Sequence, residues 1–182
     1  MPRSLFLGLF LFALVAQAAG AKSFLTQEQA LKRAFPAGTQ VVRETFFLAP
    51  AQLDEVRRRS GGDFDQELLI RYVGIRGGVI AGYAYFDAHR VRTLPETIMV
   101  VVTPAGEIDR VEILSFAEPE DYLPRPRWLD QFKGRKLDDE LSLRGRIRPI
   151  TGASLSGRSI VNASRRLLAL HQVLPARKGA VK

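Results

Sequence analysis

The segment from residue 67 to residue 117 constrains the fold most, because it holds four consecutive β-type stretches joined by short turns. Each stretch alternates apolar and polar residues or is apolar throughout, as strands do. Gly77-Gly78 and Pro104-Ala105-Gly106 are typical of tight connections between strands. The stretches are residues 68–74, 79–86, 97–103 and 107–116. Such strands predict an α+β fold, with an antiparallel sheet of about four to six strands flanked by helices.

The flanking segments carry the signals of helix ends. Thr26 followed by Gln29 forms a capping box, which predicts a short helix that ends before Pro36. Residues 41–48 are predicted to form a strand, and Pro50 stands where the first residue of a helix over residues 52–59 belongs. An amphipathic pattern over residues 159–170 predicts the last helix of the fold.

The amino terminus resembles a secretory signal peptide. Arg3 precedes an apolar run over residues 5–15, and the small residues after it allow cleavage behind Ala18 or Ala21. The alternative is an uncleaved membrane anchor, since a spanning helix needs roughly 17–25 residues. We predict an exported, periplasmic protein and leave membrane association open. The predicted divisions are a signal peptide (1–21), a single domain (22–174) and a flexible tail (175–182).

Composition excludes several kinds of chemistry. The chain has no cysteine and two histidines, His89 and His171, so thiol catalysis, Cys-metal sites and a His-rich metal site are excluded. The formal net charge of +8 falls to +7 without the signal peptide, because Arg3 is its one charged residue. The basic residues are scattered among acids, and together with export this argues against a nucleic-acid partner. An anionic membrane face, an acidic partner or a phosphorylated ligand fits the charge better.

Residues 148–158 form the most distinctive segment, a predicted loop rich in hydroxyl groups with Gly152 and Gly157. A loop that opens a helix presents free backbone N–H groups at the positive end of the helix dipole, which favours a phosphate. Serine and threonine before a helix are equally typical of ordinary N-capping. Local chemistry leaves both interpretations open.

Standard catalytic motifs are absent from the sequence. There is no G-x-S-x-G elbow and no G-x-G-x-x-G fingerprint, and Arg158 stands where a Walker loop needs its Lys-Ser/Thr pair. The acids Glu118, Glu120 and Asp121 lie in an irregular, proline-rich segment, where such clusters are usually solvated. Trp128 and Phe132 follow this segment and are predicted either to close one end of the core or to line a pocket.

Thr151-Gly152-Ala153-Ser154-Leu155-Ser156 resembles the [S/T]-G-A-[T/S]-x-[S/T] motif of the FMN-binding domain family. That family includes the G subunit of the Rnf complex and the C subunit of the sodium-translocating NADH:quinone reductase. The resemblance implies that FMN is joined through its phosphate to a hydroxyl of the motif, by a flavin transferase outside the cytoplasm. The matching position in this chain is Ser154.

The resemblance extends over about residues 79–174. Gly106-Glu107-Ile108 is similar to the family's D-G-x-I hairpin, and Glu118-Pro119 is similar to the step that follows it. Residues 128–134 resemble the family's W-x-x-Q-F-x-G segment. One departure is Arg148, which stands where flavinylated members carry Asp; Arg148 and Arg146 are candidates to pair with a phosphate instead.

The resemblance therefore implies an exported electron-transfer protein that carries FMN on Ser154. Its partners are expected to be a flavin transferase and a membrane-associated redox protein. Two other classes stay open: a flavin-free exported interaction domain, and a small FMN-dependent reductase that acts on a soluble acceptor. The resemblance implies a phosphate site made by Thr151, Gly152, Ala153, Leu155 and Ser156, and a ring pocket made by Glu118, Tyr122 and Trp128.

Overall fold

The computed structural model describes residues 22–177. The predicted signal peptide over residues 1–21, and residues 178–182 of the predicted tail, lie outside the described residues. Within residues 22–177, no helix combines the length and the apolar character that a membrane crossing requires.

Residues 22–177 form one sheet of six antiparallel strands in the order β1-β6-β5-β4-β3-β2. Every neighbouring pair is antiparallel, so the predicted α+β fold with an antiparallel sheet is confirmed. The two-residue β1 and the longer β2 form its edges. The strands are β1 (Lys22–Ser23), β2 (Gln40–Phe47), β3 (Leu68–Arg76), β4 (Val79–Arg90), β5 (Pro95–Val102) and β6 (Ile108–Phe116).

In the described part of the chain, four α-helices accompany the sheet: α1 (Gln27–Ala34), α2 (Pro50–Ser60), α3 (Pro126–Leu129) and α4 (Ser154–Val173). The predicted capping box is confirmed, since the Thr26 hydroxyl accepts from the Gln29 backbone N–H and the Gln29 side chain accepts from the Thr26 N–H. Pro50 is the first residue of α2, as predicted, and Gly61 ends that helix in the left-handed conformation with a φ of 73°. The irregular segment after β6 contains α3 between two 3-10 turns, Glu120–Tyr122 and Asp130–Phe132.

The two faces of the sheet are covered unequally. α2 and α4 pack together over one face, where Val56 and Leu167 join the inward residues of β3 to β6 in the larger core. The eight-residue α1 covers part of the opposite face, where Ala30 and Phe35 contact Tyr72. Residues alternate between the faces along β5, so Val100 belongs to the larger core and Val101 to the smaller one.

Several boundaries differ from the sequence predictions. β4 extends to Arg90, beyond the predicted end at residue 86, and α4 begins at Ser154 rather than at residue 159, so the second half of the predicted loop is the start of the helix. The start of the predicted tail makes two contacts with the sheet. The Pro175 carbonyl accepts a hydrogen bond from Arg71 at 3.1 Å, and Arg177 pairs with Glu44 at 2.9 Å. Residues 175–177 are therefore held against β2 and β3.

Candidate functional site

The candidate site begins at the amino terminus of α4. Gly152 turns the chain with a φ of 81°, a conformation that favours glycine, and Ala153 is the N-cap residue. The N-cap makes no side-chain hydrogen bond, so the interpretation of the Ser/Thr cluster as a hydroxyl cap is wrong for this helix. In a helix the first backbone N–H groups have no intrahelical partner. Those of the first turn of α4 are thus available to an anion.

A cavity of about 180 Å³ lies at this helix end and collects all but two of the predicted site residues. The irregular segment after β6 contributes two of them, and the turn between β4 and β5 adds two residues that the sequence did not indicate. The lining residues are Val91, Arg92, Glu118, Tyr122, Gly152, Ala153, Ser154, Leu155 and Ser156.

The two hydroxyl residues of the first turn differ in environment. Ser154 is exposed at the first helical position, where its Oγ is accessible to a second molecule. Ser156 is only 1% exposed, and its Oγ has no hydrogen-bond partner among the described residues. Buried hydroxyl groups are normally hydrogen-bonded. Ser156 therefore places an unsatisfied hydroxyl at the end of α4 that lines the cavity.

Glu118 is a buried lining residue of the cavity. Its Oε1 accepts hydrogen bonds from three successive backbone N–H groups, those of Arg92 (3.1 Å), Thr93 (2.7 Å) and Leu94 (2.8 Å). These bonds, chiefly those from Leu94 and Thr93, hold the pKa of Glu118 below its ordinary value. Glu118 is therefore an ionised carboxylate that fixes the β4–β5 turn.

Trp128 and Thr151 do not line the cavity. The Trp128 ring packs edge-on against Phe132, with ring centroids 5.4 Å apart, and Phe132 is fully buried in the larger core. A Cβ placed on Gly157 would lie 3.4 Å from the Trp128 ring, so the ring covers the first turn of α4. Of the two roles predicted for Trp128, the structure shows the first: the ring closes one end of the core. It packs against the first turn of α4 without lining the cavity. Thr151 is exposed in the preceding turn.

Arg146 and Arg148, the predicted candidates to pair with a phosphate, lie outside the cavity. Neither Arg146 nor Arg148 lines the cavity, and the Arg146 guanidinium pairs with Glu140 at 2.9 Å. Arg148 is held by its backbone instead, through Trp128 and Gln131. The basic residue of the cavity is Arg92. Sequence reasoning missed it because the β4–β5 turn lies far from the motif along the chain.

A charged network, also missed, lies beneath the first turns of α4. The His89 ring contacts Asp87 at 2.7 Å and Glu96 at 3.0 Å, and Arg166 of α4 binds Asp87 at 3.0 Å. The Ser159 hydroxyl, at 3.4 Å from Glu96 and 3.0 Å from the Ser156 carbonyl, connects the network to the cavity end of the helix. His89 and Glu96 are direct cross-strand partners, which was the available signal.

Burial and pairing set the protonation of this network. Burial by itself lowers the pKa of a histidine, but the hydrogen bonds and charges of Asp87 and Glu96 raise the pKa of His89 to about 9. Burial raises the pKa of Glu96, which is 0% exposed and whose Oε1 has no partner among the described residues. His89 is therefore an imidazolium at neutral pH.

A second, more apolar cavity of about 290 Å³ adjoins the first, and Glu118 lines both. Phe24, Leu94 and Phe116 provide much of its apolar surface, and Lys22 and Glu120 pair at its rim. A larger cavity, about 640 Å³, lies along β6 near Phe24 and Leu129; it shares Phe24 with the second cavity and includes none of the predicted site residues. Its size alone does not make it the functional site.

Comparisons with protein families, with curated proteins and with solved structures found no match to this chain.

Proposed function

We propose that this protein is an exported FMN-binding electron-transfer protein, and that the FMN is attached through its phosphate to Ser154. The observation that carries the proposal is the convergence of seven predicted site residues, five of them from the motif, on one cavity at the uncapped amino terminus of the 20-residue α4. The resemblance of the Thr151–Ser156 motif to that of FMN-binding domains supplies the identity of the ligand. Bound FMN supplies transfer of one or two electrons.

The local chemistry suits a phosphodiester. The exposed Ser154 hydroxyl stands at the first position of α4, where backbone N–H groups and the helix dipole stabilise negative charge. In the attachment step, Ser154 Oγ forms a bond to the flavin-side phosphorus of a flavin pyrophosphate held by the transferase. The P–O–P bond breaks, a nucleoside monophosphate leaves, and the Ser154 proton passes to a base of the transferase. No change in oxidation state is needed.

The size of the cavity restricts what part of FMN it holds. Its volume of about 180 Å³ is below the range of about 300–1,000 Å³ that is usual for a complete small-molecule pocket. It accommodates a phosphate and the start of the ribityl chain. The flavin ring would then lie over the adjoining apolar cavity beside Leu94 and Phe116, open to a redox partner. Such exposure suits a carrier that exchanges electrons with a membrane-associated protein.

The test is the colour of the protein. We would co-express the full chain with a flavin transferase, purify the exported product, denature it and separate free flavin by gel filtration. Visible flavin absorbance that stays with the denatured wild type, and is lost in Ser154→Ala, supports the proposal. Flavin released by denaturation means non-covalent binding. A colourless wild-type protein contradicts the proposal and favours a flavin-free interaction domain.

A further inference from the structure

We propose that Arg92 binds the phosphate of the ligand opposite the amino terminus of α4, and that Glu118 positions Arg92 by fixing the β4–β5 turn. The inference rests on the proposed function, because it takes the cavity ligand to be phosphorylated. It adds a residue outside the motif that selects phosphorylated over unphosphorylated flavin.

The position of Arg92 follows from the turn that carries it. Residues 91–94 connect β4 to β5, and the Val91 N–H donates to the Leu94 carbonyl at 3.1 Å. Val91 and Arg92 of this turn line the same cavity as Gly152 and the first residues of α4, so Arg92 and the helix terminus share one space. A phosphate there contacts backbone N–H groups on one side and a guanidinium, with its fork of donors, on the other.

Arg92 decides whether the net charge of the cavity lining is positive or negative. Glu118 contributes a full negative charge, and the helix terminus offsets it with roughly half a positive charge. Without Arg92, the lining would therefore be net negative and would repel a phosphodiester. With Arg92, the lining is net positive and favours one anionic group. Arg92 thus sets the sign of the net charge of the cavity lining.

Glu118 has two opposed effects on the ligand. Its charge repels a phosphate, but its three backbone hydrogen bonds hold the turn in the conformation that presents Arg92. Substituting Gln keeps an acceptor oxygen and removes the charge, whereas substituting Ala removes both. If positioning dominates, Glu118→Ala weakens phosphate binding even though it deletes a negative charge. A purely electrostatic role predicts the opposite result.

A second observation supports a ligand at this helix end. The side chain of Ser156 is almost completely buried, and its Oγ lacks a partner among residues 22–177. Ser156 is a lining residue of the cavity, and its carbonyl accepts a hydrogen bond from the Ser159 hydroxyl at 3.0 Å.

The experiment uses full-length protein made without a transferase, so that all binding is reversible. FMN and riboflavin are titrated by flavin fluorescence, and inorganic phosphate is titrated by the amide NMR shifts of residues 154–156. We expect wild type to prefer FMN to riboflavin. We expect Arg92→Ala to lose about tenfold in FMN affinity with riboflavin affinity unchanged. Arg76→Ala, which removes the exposed arginine that ends β3 next to the other end of β4, should change neither.

The Glu118 variants separate positioning from charge. Glu118→Gln should bind FMN at least as tightly as wild type, and Glu118→Ala should bind it several-fold more weakly, with thermal melts to verify folding. Equal FMN affinity in Arg92→Ala and wild type, or no phosphate response at residues 154–156 of wild type, overturns this inference. A phosphate response that Arg92→Ala abolishes, in a protein that binds no FMN, supports the inference and overturns the proposed flavin function alone.

Discussion

The indole N–H of Trp128 donates a hydrogen bond to the backbone carbonyl of Arg148, with 2.7 Å between nitrogen and oxygen. Gln131 accepts from the backbone N–H of the same residue at 2.9 Å. The segment over residues 128–134 is therefore hydrogen-bonded to the backbone of Arg148, three residues before Thr151. Its tryptophan and glutamine fix the loop that leads into α4, and they do so without lining the cavity.

Trp128→Phe tests the hydrogen bond to Arg148, because it keeps an aromatic ring against Phe132 and removes the N–H donor. We expect the free energy of unfolding to fall by about 1 kcal/mol, the usual net value of one hydrogen bond. Gln131→Ala should cost a similar amount. Urea unfolding of both variants and of the double variant measures the effect and the coupling between the two bonds. Stability equal to wild type in both single variants contradicts the structural role given to them.

Gly157→Ala should stabilise the protein. Gly157 lies inside α4, and a Cβ added there meets Trp128 at 3.4 Å and Leu143 at 3.6 Å, which is ordinary contact. Alanine also favours the helix over glycine by roughly 0.5–1 kcal/mol. We expect a gain of about that size in the free energy of unfolding, measured in urea. A loss of stability would mean that Trp128 packs more tightly on this turn than the contact distances indicate.

Gly74→Ala should act in the opposite direction. A Cβ at Gly74, in β3, would lie 2.5 Å from the Phe35 ring, so the ring must move. We expect a cost of about 1–3 kcal/mol from overpacking. Phe35→Leu in the Gly74→Ala background provides the control, since a smaller side chain should recover part of the loss. If the double variant loses the sum of the two single losses in stability, the contact between residue 74 and the Phe35 ring is contradicted.

Stability should depend on pH through His89. Its pKa is raised from the ordinary 6.5 to about 9 by Asp87 and Glu96, against the effect of burial. A base whose pKa is higher in the folded state contributes stability below its unfolded pKa, and that contribution is lost as the pH rises through the folded pKa. The free energy of unfolding, measured in urea, should therefore fall between pH 6.5 and 9, by at most about 3 kcal/mol.

The matched variants for this pH profile are His89→Gln and His171→Gln. Glutamine at residue 89 cannot titrate, so the loss between pH 6.5 and 9 should disappear. His171 serves as the control because burial, and secondarily Arg71, lower its pKa to about 4, which places its own effect below pH 6.5. An unchanged profile in His89→Gln would show that the Asp87–His89–Glu96 network is not the source.

Local sequence patterns predicted most of the sheet, and they failed where tertiary contacts decide. Alternation and turn residues located β2 to β6, whereas the two-residue β1 has too few residues to carry a pattern. The start of α4 was misplaced because Ser154 to Gly157 has the composition of a loop. Those residues are helical where Trp128 covers them.

The candidate site divides in the same way. Its motif residues are contiguous and were found from sequence. Arg92 reaches them only because β4 and β5 are paired and Glu118 fixes their turn, a contact that spans about 25 residues of chain. The network around His89 is local in β4 and β5, through Asp87 and Glu96, but Arg166 joins it from α4 through Asp87. No local window of the sequence contains the contact between Asp87 and Arg166.

The central claim is that Ser154 carries the flavin, and intact-mass spectrometry of the exported protein tests it most directly. Wild type, Ser154→Ala and Ser156→Ala would each be co-expressed with a flavin transferase. We predict that wild type and Ser156→Ala gain the mass of one FMN less one water, and that Ser154→Ala gains nothing. A wild-type protein without that increment, or a Ser154→Ala protein that carries it, would contradict the claim.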